Sequence, residues 1–173
     1  MNANFAAFLF LFLGCLLVRS TYEVLKKSGR VNPRNRLLFA VVFTAMCALW
    51  ISWFGMCPLD PLPLLLPDPV RWIGFGIVVI GLGLAVGALL QLRGLENIDH
   101  LITTGLFSKL RHPMYTGFLS WIVGWSTYHG ALASFLAGLL GICNVLYWRR
   151  LEEQYLESQY GETYRVYRKQ TWF

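Results

Sequence analysis

The sequence predicts an all-α fold, a polytopic membrane helix bundle of about five transmembrane helices with a cytoplasmic C-terminal helix. Three observations predict it. Of 173 residues, 56% are hydrophobic and only 14% charged, whereas soluble domains carry about 25% charged residues. Mean hydropathy is positive, at +0.51. The apolar residues gather in five long runs, Phe5–Val18, Leu37–Gly55, Val70–Leu92, Met114–Tyr128 and Ala131–Trp148, and a span needs roughly 20 residues. Residues 1–173 therefore read as one integral membrane domain, with three spans in 1–92 and a loop, helical hairpin and tail helix in 93–173.

The first run has no Lys or Arg before it, and the positive charge follows it. That is the reverse of a cleaved signal peptide, so the run reads as a retained helix with its N-terminus outside. The segment after it, Arg19–Arg36, reads as a loop carrying Arg19, Lys26, Lys27, Arg30, Arg34 and Arg36 against the single acid Glu23. Between the second and third runs, Pro58, Pro61, Pro63, Pro67 and Pro69 make a rigid, non-helical linker whose only charges are Asp60 and Asp68. Arg93, Lys109 and Arg111 follow the third run, and Arg149, Arg150, Arg165, Arg168 and Lys169 follow the fifth. The positive-inside rule then places the odd loops and the tail in the cytoplasm, in an arrangement suited to a prokaryotic inner membrane. The net charge of +6 belongs to this topology and to anionic lipid headgroups, not to nucleic acid.

The third run contains Gly81-Leu82-Gly83-Leu84-Ala85-Val86-Gly87. It resembles a nucleotide loop but lies inside an apolar run with no strand before it, so the phosphate reading fails. Gly83 and Gly87 are expected to form a small-residue face for helix packing, extended by Gly74, Gly76 and Gly81. The fourth and fifth runs read as a hairpin turning at His129-Gly130. Cys15, Cys47, Cys57 and Cys143 have no paired spacing and read as small buried residues, with neither disulfide nor metal pattern.

Two polar segments stand against this background. In the first, from His100 to Gly117, Pro113 suits the first turn of a helix and puts His112 near its N-cap. The free N–H groups there suit a carboxylate. Tyr115 offers a ring face to a cation, and Gly117 lets a ligand or another backbone come close. In the second, Arg149 shares a helical face with Glu152 and Glu153. The two acids point about 100° apart, so one of them is expected to face any given site. Leu151, Tyr155 and Leu156 suggest an apolar side packing on the bundle, and Gly161 a helix stop.

The ordered set His100-Leu101-Ile102-Thr103-Thr104-Gly105, Arg111-His112-Pro113-Met114-Tyr115-Thr116-Gly117, Glu152-Glu153, Tyr160-Gly161 and Tyr164-Arg165-Val166-Tyr167 resembles the isoprenylcysteine carboxyl methyltransferase and phospholipid methyltransferase superfamily. The resemblance covers residues ~97–170, and the family usually has Tyr where this chain has Phe107. It implies an S-adenosylmethionine pocket in the C-terminal half, closed by the loop and tail helix, with a lipophilic methyl acceptor entering from the bilayer. By position it implies that His100, Leu101, Ile102 and Gly105 line the methionine end, largely through backbone. His112, Pro113 and Tyr115 would flank the cofactor, and Glu152 or Glu153 would complete the site. Arg111 and Arg149 would position an anionic group.

Methyl transfer is an in-line displacement that needs positioning and exclusion of water, without metal or covalent nucleophile. A carboxylate acceptor needs a cation to hold it, such as Arg111 or Arg149. An amine or thiol needs a base, such as His112 or a glutamate. Two other classes share parts of the pattern. One is the NADPH-dependent sterol C14 reductases, which carry a Cys and Lys before Tyr-Gly where this chain has Ser158-Gln159. The other is a membrane subunit that keeps the fold without turnover.

Overall fold

The computed structural model describes residues 3–32, 35–92 and 101–173. Arg34, Arg93 and His100, named above, lie outside the described residues. Among the described residues six α-helices follow in order: α1 (Ala3–Lys27), α2 (Arg36–Met56), α3 (Asp68–Leu92), α4 (Pro113–His129), α5 (Leu132–Tyr160) and α6 (Glu162–Gln170). Short 3-10 turns at Cys57–Leu59 and Gly105–Ser108 lie beside α2 and before α4.

Among the described residues, four helices are long and apolar enough to cross a membrane: Ala3–Lys27, Arg36–Leu59, Asp68–Leu92 and Leu132–Tyr160. The outer surface is apolar, with Phe10, Leu17, Ile51, Ile73, Ile80 and Leu90 all exposed. The chain is thus a polytopic bundle whose solvent is hydrocarbon. The fifth expected span, α4, has 17 residues, about 26 Å of helix at 1.5 Å per residue. It runs antiparallel along α3. A Cβ added at Gly124 would meet the Gly74 carbonyl oxygen at 2.6 Å, and one at Gly117 would meet the Gly81 oxygen at 2.5 Å. Moving from the first contact to the second advances seven residues on α3 and retreats seven on α4.

That seam corrects the expected packing face. Gly83 and Gly76 meet nothing within 4 Å, and Gly87 meets only the Leu106 side chain. The close face is Gly74, Gly81, Ala85 and Ala88, all buried. Gly83 and Gly87, four residues apart, suggested one stripe, but the partner's own glycines choose another. Gly117 lets the neighbouring α3 backbone come close in this seam.

The segment after the first run is also different from expectation. Residues 19–27 continue α1 as helix, so Arg19 is not a loop cation. Its side chain is 16% exposed, is ion-paired with Glu23 and lies over the Trp148 ring at 5.2 Å. An i,i+4 acid and an aromatic wall from α5 make burial of the charge possible. Ser20 hydrogen-bonds to Asn144 in the same α1–α5 contact. α2 begins with Asn35 as its N-cap, accepting from the Leu37 and Leu38 amides at 3.0 and 3.3 Å. α1 and α2 interlock through Phe12 and Trp53, with ring centroids 5.3 Å apart.

The proline-rich linker does more than connect. Leu64 N donates to Gly130 O at 2.7 Å, and Leu132 N to Leu62 O at 3.3 Å. Asp60 accepts from Ala133 N at 3.3 Å and from Ser134 N and Oγ at 2.6 Å, capping the start of α5. The α4–α5 hairpin turns as expected, at Gly130 with φ +64°. α5 ends at Gly161. Two smaller expectations are corrected. Cys15 and Cys57 are buried, but Cys47 and Cys143 are exposed on the apolar outside, where a small thiol meets no polar penalty. Tyr155 is 61% exposed, so it does not pack back on the bundle.

Candidate active site

At the end of the bundle opposite Asp60, three segments converge. The first leads from Gly105 into α4. Gly105 has φ +61°, and the adjoining Leu106 N donates to Gln91 Oε1 of α3 at 3.0 Å. A Cβ at Gly105 would overlap Gln91, so backbone turn and side-chain clamp both call for glycine here. Leu101 and Ile102 precede it half-buried. His112 has φ −126° and ψ 61°, in keeping with the restriction on a residue before proline. Pro113 opens α4 as expected. The His112 ring is buried and stacks on Tyr115, with centroids 5.5 Å apart and planes 19° from parallel.

The second segment is the end of α5. Glu153 Oε1 gathers four contacts at 3.3 Å, from Arg111 Nε, Arg149 Nε and Nη2, and His112 Nε2. Its side chain is only 14% exposed. The expectation that one of the two acids would face the site needs correction. Glu152 Oε2 lies 3.7 Å from His112 Nδ1, so the acids bracket the two nitrogens of one imidazole. The ring is wide enough to span two helical positions that diverge. Glu153 is the central acid, and Glu152 is peripheral, at 39% exposure.

The third segment is α6 with the residues after it. Trp172 N donates to Lys109 O at 2.8 Å, Arg111 N to Trp172 O at 3.0 Å and His112 N to Phe173 O at 3.2 Å. Arg111 Nη1 donates to Arg168 O at 2.9 Å and Thr171 O at 2.6 Å. The Phe173 ring lies 4.2 Å from the Arg149 guanidinium, and Tyr167 donates its hydroxyl to Phe107 O at 2.6 Å. Arg111 and Arg149, expected to hold an anion, are in this structure committed to Glu153 and to the tail. Tyr164 is fully buried in the same face of α6, and its hydroxyl has no hydrogen-bond partner among the described residues. Burial, and secondly the Glu153 carboxylate, push its phenol up to about 12. Burial also raises Tyr167.

Of the residues singled out in the sequence, the fold brings together Arg111, His112, Pro113, Tyr115, Arg149, Glu152 and Glu153. Gly105, Leu101 and Ile102 lie on the loop that leads to them. Sequence reasoning missed the roles of Thr171, Trp172 and Phe173. The buried state of Arg19 could have been found from its i,i+4 spacing to Glu23.

Fold and site define a class: a helical membrane protein with a charged, aromatic-lined polar site closing one end of the bundle. The chain belongs to the phospholipid methyltransferase family, whose sequence model matches residues 69–163, more than half of it. It is similar to a protein-S-isoprenylcysteine O-methyltransferase of Schizosaccharomyces pombe, 38% identical over 76 residues, covering 43% of this chain and 32% of the relative. It is also similar to a methanethiol S-methyltransferase of Pseudomonas deceptionensis, 32% identical over 107 residues, 57% of this chain and 40% of the relative. The alignments thus span well under half the length of either relative. No solved structure matches the chain.

Proposed function

We propose that the protein transfers a methyl group from S-adenosylmethionine to a lipophilic acceptor at the membrane boundary, most like the isoprenylcysteine carboxyl methyltransferases. The observation that carries this reading is the Glu153 cluster, with the stacked His112–Tyr115 pair, at one end of an apolar bundle and inside the region matched by the family. The donor set suits the cofactor chemically. Glu152 and Glu153 can accept from an ammonium or from ribose hydroxyls, Arg111 and Arg149 can donate to a carboxylate, and the Tyr115 ring face can sit against a cation. Bound there, S-adenosylmethionine supplies an electrophilic methyl group.

The chain's own part is to hold and to exclude. Arg111 and Arg149 hold Glu153 in its orientation. The tail, hydrogen-bonded to residues 109–112, covers the site and keeps water out. Arg149 and Arg111 are the groups able to receive an ionised carboxylate acceptor, and His112, between two carboxylates, is the group able to take a proton from a thiol acceptor. The relatives' names point to both acceptor types, so we offer each. In the membrane this reading puts the N-terminus outside and the charged end in the cytoplasm, where Lys26, Lys27 and Arg30 lie exposed, in a prokaryotic inner membrane.

The test is calorimetric titration of S-adenosylhomocysteine into the detergent-purified protein, with NADPH in parallel. Saturable binding of S-adenosylhomocysteine alone is expected. Binding of NADPH alone would replace the reading with a reductase. Binding of neither by folded protein would replace it with a non-catalytic subunit.

A further inference from the structure

We infer that Tyr164 is a cofactor-contacting residue whose hydroxyl donates to a ribose hydroxyl of the bound S-adenosyl group. The inference rests on the methyltransferase reading above and adds a residue and a group to it. Tyr164 is 0% exposed, and its hydroxyl oxygen is buried without a hydrogen-bond partner among the described residues. A buried hydroxyl left unpaired costs about 1–3 kcal/mol, and such groups are uncommon in native proteins. The side chain has little freedom to find a partner by moving. Tyr167, one turn along and with its ring centroid 6.2 Å from that of Tyr164, is tied to Phe107 O. Thr171, on the same face, is tied to Arg111. Both ends of α6 contact are therefore fixed around the orphaned hydroxyl.

Arg168, one helical turn after Tyr164 on α6, accepts at its carbonyl oxygen from Arg111 Nη1 at 2.9 Å, which places Tyr164 beside the site. The position limits what its partner can be. A ligand group lying between the Tyr164 hydroxyl and the Glu153 carboxylate must accept from one and donate to the other. An ammonium can only donate, and a carboxylate can only accept and would be repelled by Glu153. A hydroxyl does both, and the S-adenosyl group carries two on its ribose.

The experiment compares Tyr164→Phe with Tyr167→Phe in the full-length protein, by thermal unfolding without ligand and by titration of S-adenosylhomocysteine. Removing an unpaired oxygen should leave the ligand-free melting temperature of Tyr164→Phe equal to or above that of wild type. Its affinity for S-adenosylhomocysteine should fall about tenfold, the worth of one hydrogen bond to a polar ligand. Tyr167→Phe, which removes a hydrogen bond the protein itself makes to Phe107 O, should instead lower the ligand-free melting temperature. An analogue lacking both ribose hydroxyls should bind wild type and Tyr164→Phe equally. Unchanged affinity for S-adenosylhomocysteine in Tyr164→Phe overturns the inference while leaving the methyltransferase reading intact. So does a ligand-free protein that melts lower or fails to fold, since the hydroxyl would then serve the protein itself. Absence of binding by wild type overturns both together.

Discussion

The two ends of the bundle are each organised by one carboxylate, and they use it differently. At one end Asp60 accepts hydrogen bonds from the Ala133 and Ser134 amides and the Ser134 hydroxyl. Most of these donors are backbone, fixed by the first turn of α5. At the other end Glu153 is shared among side chains of Arg111, His112 and Arg149, every contact at 3.3 Å. Those donors sit on rotatable stems, and two of them also hold the tail. The first arrangement is a weld that has one geometry. The second can exchange partners when a polar ligand arrives. A buried acid by itself therefore says little about function, and the rigidity of its partners says more.

Mutations should separate the two ends. The largest effect is expected from Glu153→Gln, which leaves two guanidinium groups without their acid. S-adenosylhomocysteine affinity should fall about 100-fold, and stability by about 3 kcal/mol, read by calorimetry and thermal unfolding on the same preparation. Asp60→Ala should cost about 2 kcal/mol of stability through the lost cap with affinity unchanged. A shared loss of affinity would show that the ends are coupled and would break the comparison. Arg111→Lys should weaken binding about tenfold, because an ammonium cannot reach Glu153, Arg168 O and Thr171 O together as the guanidinium fork does. The smallest effect is expected from Glu152→Gln, about twofold in affinity, since that acid is 39% exposed and 3.7 Å from His112. A loss from Glu152→Gln that equalled that of Glu153→Gln would move the centre of the site by one residue.

Much of this architecture was legible in sequence because its causes are local. Apolar runs of membrane length, the His129-Gly130 turn, Pro113 at the head of α4 and the break at Gly161 each follow from a few adjacent residues. The motif residues that converge were also legible, since Arg149 and Glu153 lie one helical turn apart and Arg111, His112 and Tyr115 are near neighbours in the chain. The misreadings share a cause. Gly83 and Gly87 have the right spacing for a seam, and so do Gly74 and Gly81 with Ala85 and Ala88. Periodicity on one helix cannot say which stripe meets a partner. Arg19 looked like a loop cation because charge was counted without the aromatic wall that Trp148 brings from α5.

The sequence by itself determined a basic, apolar chain of membrane-length helices with a polar motif near its C-terminal end. Length, hydropathy and helix termini depend on residues close in the chain, and no distant partner can change them. Only the tertiary structure decided that Glu153 is the central acid, that the tail closes over residues 109–112 and that α3 meets α4 through Gly74 and Gly81. Each of these is a contact between segments far apart in sequence. Which of several compatible faces pairs is set by the shape of both surfaces at once.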